Sequence, residues 1–154
     1  MTGLYWETWY NNANISEEEK NYIFYENKLL GVPRIRQLKV RPDSCSIAKD
    51  FESEIKHCYA MYAPSVEDKR SFGLANGTAW NYSTPEETGL RDHAGKISTY
   101  GGGGYYQDLT RDKNLTLTLI NRLFDNLWIA RGTRVVFVDF TVYNANINLF
   151  CVIK

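Results

Sequence analysis

The sequence predicts an α+β domain, an antiparallel β-sheet with α-helices packed against it, and three features carry that expectation. Residues 22–40 are dense in aromatic and branched side chains, residues 133–154 alternate apolar and polar, and Leu115, Leu119, Leu123 and Leu127 recur at helical spacing. Strand runs separated by helices without regular alternation favour an antiparallel arrangement over a doubly wound one. The length, 154 residues, fits one domain spanning 1–154.

Taken in order, a polar stretch over residues 11–20 precedes the 22–40 run, which Gly31-Val32-Pro33 divides into two strands or one bent strand. Phe51, Ile55, Tyr59 and Tyr62 then predict a short helix over 50–62, with Asp50 and Glu52 near its positive end. Residues 63–95 are rich in turn signals, Pro64, Gly73, Asn76-Gly77, Pro85 and Gly89, around one short strand over 78–82. Gly101–Gly104 form a turn between short strands within 97–106. The leucine row, flanked by Ile120, Phe124 and Trp128, predicts an amphipathic helix that Gly132 ends.

In 133–154 the alternation changes phase. Val136, Val138, Phe140 and Val142 share one parity, whereas Ala145, Ile147, Leu149, Cys151 and Ile153 share the other. A slip of one residue sends every later side chain to the opposite face, so a bulge or a new packing partner is expected near Tyr143-Asn144.

Composition excludes several function classes. Lysine plus arginine balances aspartate plus glutamate at 18 each, so no global field points to nucleic acid. No run approaches the roughly 20 apolar residues of a membrane-spanning helix. The opening Met1-Thr2-Gly3-Leu4-Tyr5-Trp6 has neither a basic nor an apolar signal-peptide region, so a fragment of a larger exported protein is expected.

The candidate chemistry is sparse. Gly101–Gly104 lack the Lys-Ser or Lys-Thr of a phosphate loop, and close packing accounts for them better. His57 and His93 stand alone, the carboxylates Glu17–Glu19 and Glu86-Glu87 lie in solvated turns, and neither a catalytic constellation nor a cofactor or metal site emerges. Three cysteines lack any C-x-x-C spacing. Cys45 and Cys58 are either a bridge, whose loop closure is worth about 3 kcal/mol, or two free thiols. Cys151, in an apolar strand, reads as a buried thiol. Sequons for N-glycosylation stand at Asn14, Asn76, Asn81 and Asn114, against roughly one or two expected by chance. Arg34, Arg36, Lys39 and Arg41 line one strand. They either face an acidic partner or protect an edge strand by charge. On the first reading, charge reversal at Arg36 leaves the fold intact.

Tyr25-Glu26-Asn27, the run Leu29-Leu30-Gly31-Val32-Pro33-Arg34-Ile35-Arg36-Gln37-Leu38, and Asn76-Gly77-Thr78-Ala79-Trp80 resemble the polycystin-2 family of cation channels. So do Gly104-Tyr105-Tyr106, Arg131-Gly132-Thr133-Arg134 and the run Tyr143-Asn144-Ala145-Asn146-Ile147-Asn148-Leu149-Phe150-Cys151. The likeness covers nearly the whole chain and is closer to polycystin-2 than to polycystin-1. It implies the polycystin or TOP domain, the extracellular or lumenal loop between the first and second membrane helices of a six-helix subunit. Helices would lie on one side of the sheet, and a Cys45–Cys58 disulfide would staple a finger-like loop.

The resemblance further implies a non-selective, calcium-permeable channel in cilium, plasma membrane or endoplasmic reticulum, with this domain contributing to homotetramer assembly and gating rather than catalysis. Its partners would be copies of itself, the pore loops of the same channel and a polycystin-1-like subunit, with membrane contact only through helices outside this chain. Arg34, Arg36, Arg41, Arg131 and Arg134 are the contact candidates. Asn76 matches a family glycosylation position. The sequence departs from the family pattern at Pro42-Asp43-Ser44, Ala94 and Ala130. A rival reading is an autonomous secreted or receptor ectodomain that binds a ligand or glycan.

Overall fold

The computed structural model describes residues 4–154, so Met1, Thr2 and Gly3 of the opening read above lie outside it. Its elements are β1 (Tyr22–Ile23), β2 (Asn27–Lys39), α1 (Pro85–Thr88), β3 (His93–Ala94), β4 (Thr99–Tyr100), β5 (Tyr105–Asp108), α2 (Lys113–Asp125), β6 (Thr133–Asn144) and β7 (Leu149–Ile153). The main sheet runs β1-β2-β6-β7 with β5 also bonded to β2, while β3 and β4 form a separate antiparallel pair. The α+β class therefore holds, whereas Gly31-Val32-Pro33 does not divide 22–40: β2 runs through it unbroken, and the break falls at residues 24–26, where Phe24 and Tyr25 take positive φ.

The chain divides into two compact units, one holding Met1–Ile35, Asp108–Asn121 and Phe137–Lys154, the other Arg36–Gln107 and Arg122–Val136. In the first, Leu4, Tyr5, Ile23, Leu29 and Val142 form a buried cluster against which Phe140 packs. Asp112 caps α2, its carboxylate accepting from the Leu115 amide at 2.7 Å. Thr116 lies one residue beyond the expected leucine row and is buried, because its hydroxyl is held by the Tyr5 hydroxyl at 3.0 Å and by the Thr110 amide at 3.1 Å. The helix is thus turned so that Leu115 faces solvent.

The second unit is built around aromatic rings. Phe72 meets Trp80 edge-on at 5.2 Å and Tyr105 at 4.9 Å, and Trp80 and Tyr105 are fully buried. Gly73, at φ +55°, lies directly under the Trp80 ring, where a Cβ would collide with it. Buried Gln37 is satisfied on both ends, donating to the Trp128 carbonyl at 2.6 Å and accepting from the Thr133 hydroxyl at 2.8 Å.

Four further expectations change. Residues 50–62 are not a helix: a single 3-10 turn, Lys49–Phe51, is present. Ser44 donates its amide to Cys58 and accepts from the Ala60 amide through its hydroxyl, contacts that hold 58–60 extended. Residues 78–82 are turn rather than strand, because the amides of Trp80 and Asn81 both bond back to the Gly77 carbonyl and drive Trp80 into the core. The 133–154 run is a hairpin, not one bulged strand. Its register sets Val142 opposite Cys151 and Phe140 opposite Ile153, so a four-residue turn brings the two parities onto one face. Cys151 is exposed, since β7 pairs with β6 alone and all five of its residues face solvent.

The end of α2 differs too. The helix stops at Asp125, seven residues before Gly132, and Leu127 takes the left-handed conformation at φ 56°. The Trp128 amide bonds to the Leu123 carbonyl at 2.9 Å and that of Leu127 to Phe124 at 3.0 Å. These are the two bonds of a Schellman stop, and the buried pair Leu123 and Trp128 supplies its apolar clasp.

Candidate functional site

The loop between Cys45 and Cys58 is closed by a disulfide with its Cα atoms 5.4 Å apart, a separation natural to such bridges. Ser44 and Cys58 are joined by a backbone bond of 3.0 Å just outside the bridge, and His57 meets Asp43 at 3.2 Å. Phe51 and Ile55 on this loop are exposed. Beside the bridge they line an open cavity of about 530 Å³ together with Tyr59 and Arg131.

Arg134 fastens the base of this finger. Its Nε donates to the Ala60 carbonyl at 2.7 Å, one Nη to Tyr59 at 3.0 Å, and the other to Arg131 at 2.9 Å and Thr133 at 3.0 Å. Four carbonyls from two chain segments thus converge on one planar fork, a geometry lysine does not reproduce. Arg131, by contrast, is exposed, with its guanidinium 5.4 Å above the Tyr59 ring.

The basic row on β2 does not form one face. β2 is bonded to β1, β5 and β6, so it is an interior strand and edge protection is not its role. Arg34 forks onto Asp108 at 2.6 and 3.0 Å. Arg36 is 1% exposed and donates to the carbonyls of Gly101 and Gly103. Lys39 is buried with its ammonium 3.2 Å from the centre of the Phe72 ring, and desolvation lowers its pKa. Arg41 is exposed and reaches the Ser65 carbonyl at 2.9 Å.

The glycine run is the receptor for Arg36. A Cβ on Gly104 would stand 2.6 Å from the Gln37 carbonyl, and one on Gly103 would strike the Tyr82 hydroxyl. Only bare backbone lets these carbonyls approach β2, which agrees with close packing rather than phosphate binding.

Next to it lies Glu67, bridged to Val40 and with a side chain only 6% exposed. Desolvation raises its pKa, opposed by a hydrogen bond from Tyr82 at 3.2 Å and by Lys69 at 4.0 Å. Its neighbour Asp68 is lowered, chiefly by the Arg70 guanidinium that binds both of its oxygens.

The sequons divide by environment. Asn14, Asn76 and Asn114 are exposed. The half-buried Asn81 has its carboxamide engaged at the surface, donating to Gly77 at 3.2 Å and accepting from the Ser71 hydroxyl at 2.6 Å. Sequence reasoning missed Asp108 as the partner of Arg34, because 74 residues separate them. It also missed the opening aromatics, where Trp9 stacks on Tyr25 at 5.0 Å. The clustering of Trp6, Trp9 and Tyr10 was the available signal. Among the described residues no helix is long and apolar enough to cross a membrane, and no group of histidine, cysteine or carboxylate side chains is placed to hold a metal.

The polycystin-domain family model matches residues 1–154. Polycystin-2 of Danio rerio is 50% identical over 154 residues, all of this chain and 17% of that protein. Polycystin-2-like protein 1 of Homo sapiens is 50% identical over all of this chain and 19% of its own length. Polycystin-1-like protein 3 of Mus musculus is 30% identical over 81% of this chain and 6% of its own. The chain thus spans about a fifth or less of these relatives. A match from end to end, together with identity near one half to polycystin-2 proteins, establishes that the chain belongs to the polycystin-2 family.

Proposed function

We propose that this chain is the extracellular or lumenal domain of a polycystin-2-like, non-selective, calcium-permeable cation channel, contributing to homotetramer assembly and to gating above the pore. The observation that carries the topology is the Cys45–Cys58 disulfide, since such bridges persist in oxidising compartments and are rare in the cytosol. The exposed sequon at Asn76 fits the same side of the membrane. Copies of the domain, the pore loops and a polycystin-1-like subunit are the partners in this reading, with cilium, plasma membrane or endoplasmic reticulum as the location.

The disulfide finger presents Phe51, Ile55 and Met61 to solvent beside Arg131, a surface with apolar anchors and a cation at the rim. Arg41 and Arg131 make the direct contacts to a neighbouring subunit or pore loop. Arg134 serves the same surface by holding the Tyr59 and Ala60 carbonyls at its base, whereas Arg34 and Arg36 are engaged by Asp108 and by the Gly101 and Gly103 carbonyls. The test is the full-length subunit carrying Cys45→Ala and Cys58→Ala, assayed by native electrophoresis of surface-labelled protein and by patch clamp. Loss of surface tetramers and of current is expected. Normal tetramers carrying normal current would overturn the assembly role.

A further inference from the structure

The cavity beside the Cys45–Cys58 bridge combines apolar walls with one cation that the fold leaves unspent. The Ile55 amide donates to the Phe51 carbonyl at 2.9 Å, a single helical turn that sets these two side chains one above the other. Both are exposed, and with Ile47 and the Tyr59 ring they line the open space of about 530 Å³. Cys58 is part of the same wall, so the bridge holds the cavity in shape before any ligand arrives. Asp50, Glu52 and Glu54 belong to the same loop, yet none of them lines the cavity.

Of the two arginines on the lining, Arg134 has its guanidinium taken up by four carbonyls. Arg131 does not: among the described residues its guanidinium rests 5.4 Å above the Tyr59 ring and meets no carboxylate. A guanidinium held in this way keeps its N–H fork open to a planar anion. His57 also lines the space, with its ring engaged by Asp43 at 3.2 Å. Apolar surface continues past Tyr59, which with Arg134 also walls a second open cavity of about 310 Å³ beside Met61, Ile97 and Tyr100. Two open apolar spaces that share a wall suit an extended chain better than a compact ring system. All of these residues belong to one of the two compact units.

We propose that this cavity binds a long-chain fatty acid, with its carboxylate on the Arg131 guanidinium and its acyl chain laid along Ile47, Phe51, Ile55 and Tyr59. One unspent cation matches one carboxylate, whereas a phosphate monoester would bring about 1.5 to 2 negative charges to the same point. The carboxylate takes the guanidinium fork in a two-point contact. The chain covers apolar side chains that water now touches, which is the driving term for the tail. The inference goes beyond assembly and gating, since binding at this cavity requires neither, and its test reads the two apart.

Opened membranes from cells expressing the full-length subunit would be irradiated with a palmitate probe carrying a diazirine on its chain. Adducts would be mapped by mass spectrometry on the monomer and tetramer bands of native electrophoresis. Adducts within residues 47–59, displaced by palmitate and not by its neutral glycerol ester, are expected. Arg131→Ala should lower this labelling about three- to tenfold, the range of one charge-assisted contact at an open site. Arg131→Glu should exchange the preference, losing the carboxylate probe and taking a diazirine-bearing alkylamine instead, a switch that a misfolded chain does not produce. Labelling indifferent to Arg131, or displaced equally by the neutral ester, overturns the carboxylate site. Stronger displacement by lysophosphatidate than by palmitate gives the site to a phosphate head and overturns the fatty acid. Adducts on the monomer but not on the tetramer give the cavity to a neighbouring subunit and overturn the ligand as well. Arg131-dependent labelling of a chain that forms no tetramers supports the site and removes the assembly reading instead.

Discussion

A guanidinium with 1% of its surface exposed needs oriented dipoles around it, and the carbonyls of Gly101 and Gly103 supply them to Arg36. Arg36→Glu would set a carboxylate against two carbonyl oxygens inside the fold, so the substitution strikes folding before any contact with a partner. The expectation that charge reversal there spares the fold is therefore corrected. Nothing local to Arg36 announces this, because its acceptors lie 65 and 67 residues away. Glu67 supports a pH prediction. Burial favours its neutral form, so the folded chain retains a proton that the unfolded chain releases near its ordinary value of 4.5. The stability this group contributes is complete below that value and is lost as pH rises through the higher folded pKa. Glu67→Gln keeps an acceptor for Tyr82 without the charge, so the variant should be more stable than the parent at pH 7, with the difference closing toward pH 4. Urea unfolding at both values checks this, and a variant less stable at pH 7 would sink it. The opposite titration of Asp68 is common to both proteins and cancels in the comparison.

Elements were legible where local pattern and tertiary need agree. β2 is such a case: the apolar Leu29, Ile35 and Leu38 of this strand are all buried. Residues 50–62 are the counterexample, since Phe51 and Ile55 keep helical spacing yet face solvent, and ties to Ser44 extend the chain after them. In 133–154 the parity change was visible but its cause was not. A hairpin turn with Asn148 at φ 52° solves the same constraint as a bulge, and alternation alone does not distinguish them. The α2 stop yields a prediction at this scale. Leu127 sits at a C′ position that favours glycine, with its side chain 73% exposed. Leu127→Gly relieves the left-handed strain and should stabilise the chain by about 0.5–1 kcal/mol after the entropy glycine adds to the unfolded state. That corresponds to roughly 2–4 °C per kcal/mol in the melting temperature, measured by circular dichroism. A lower melting temperature would show that the Leu127 side chain is needed where it lies.

For the molecule as a whole, the Cys45–Cys58 bridge spans a sequence separation of 13, so its loop-closure contribution is about 3 kcal/mol. The paired Cys45→Ala and Cys58→Ala chain should lose about that much stability against urea with little change in slope, because the finger exposes Phe51 and Ile55 already. An unchanged midpoint would mean that backbone ties such as Ser44 to Cys58 suffice. Cysteine spacing alone left the pairing open; the long family-like strings pointed to it. The contact surface was less legible, since a row of arginines in sequence resolves into two exposed groups, Arg41 and Arg131, and three engaged ones, Arg34, Arg36 and Arg134. Lys39 also gives the unit around Phe72 a built-in spectroscopic marker. An aromatic ring that draws an ammonium to 3.2 Å from its centre also shields nuclei above its face in a magnetic field. The terminal methylene protons of Lys39 should therefore resonate upfield of every solvent-exposed lysine, and their return to ordinary shifts would time the opening of that aromatic cluster.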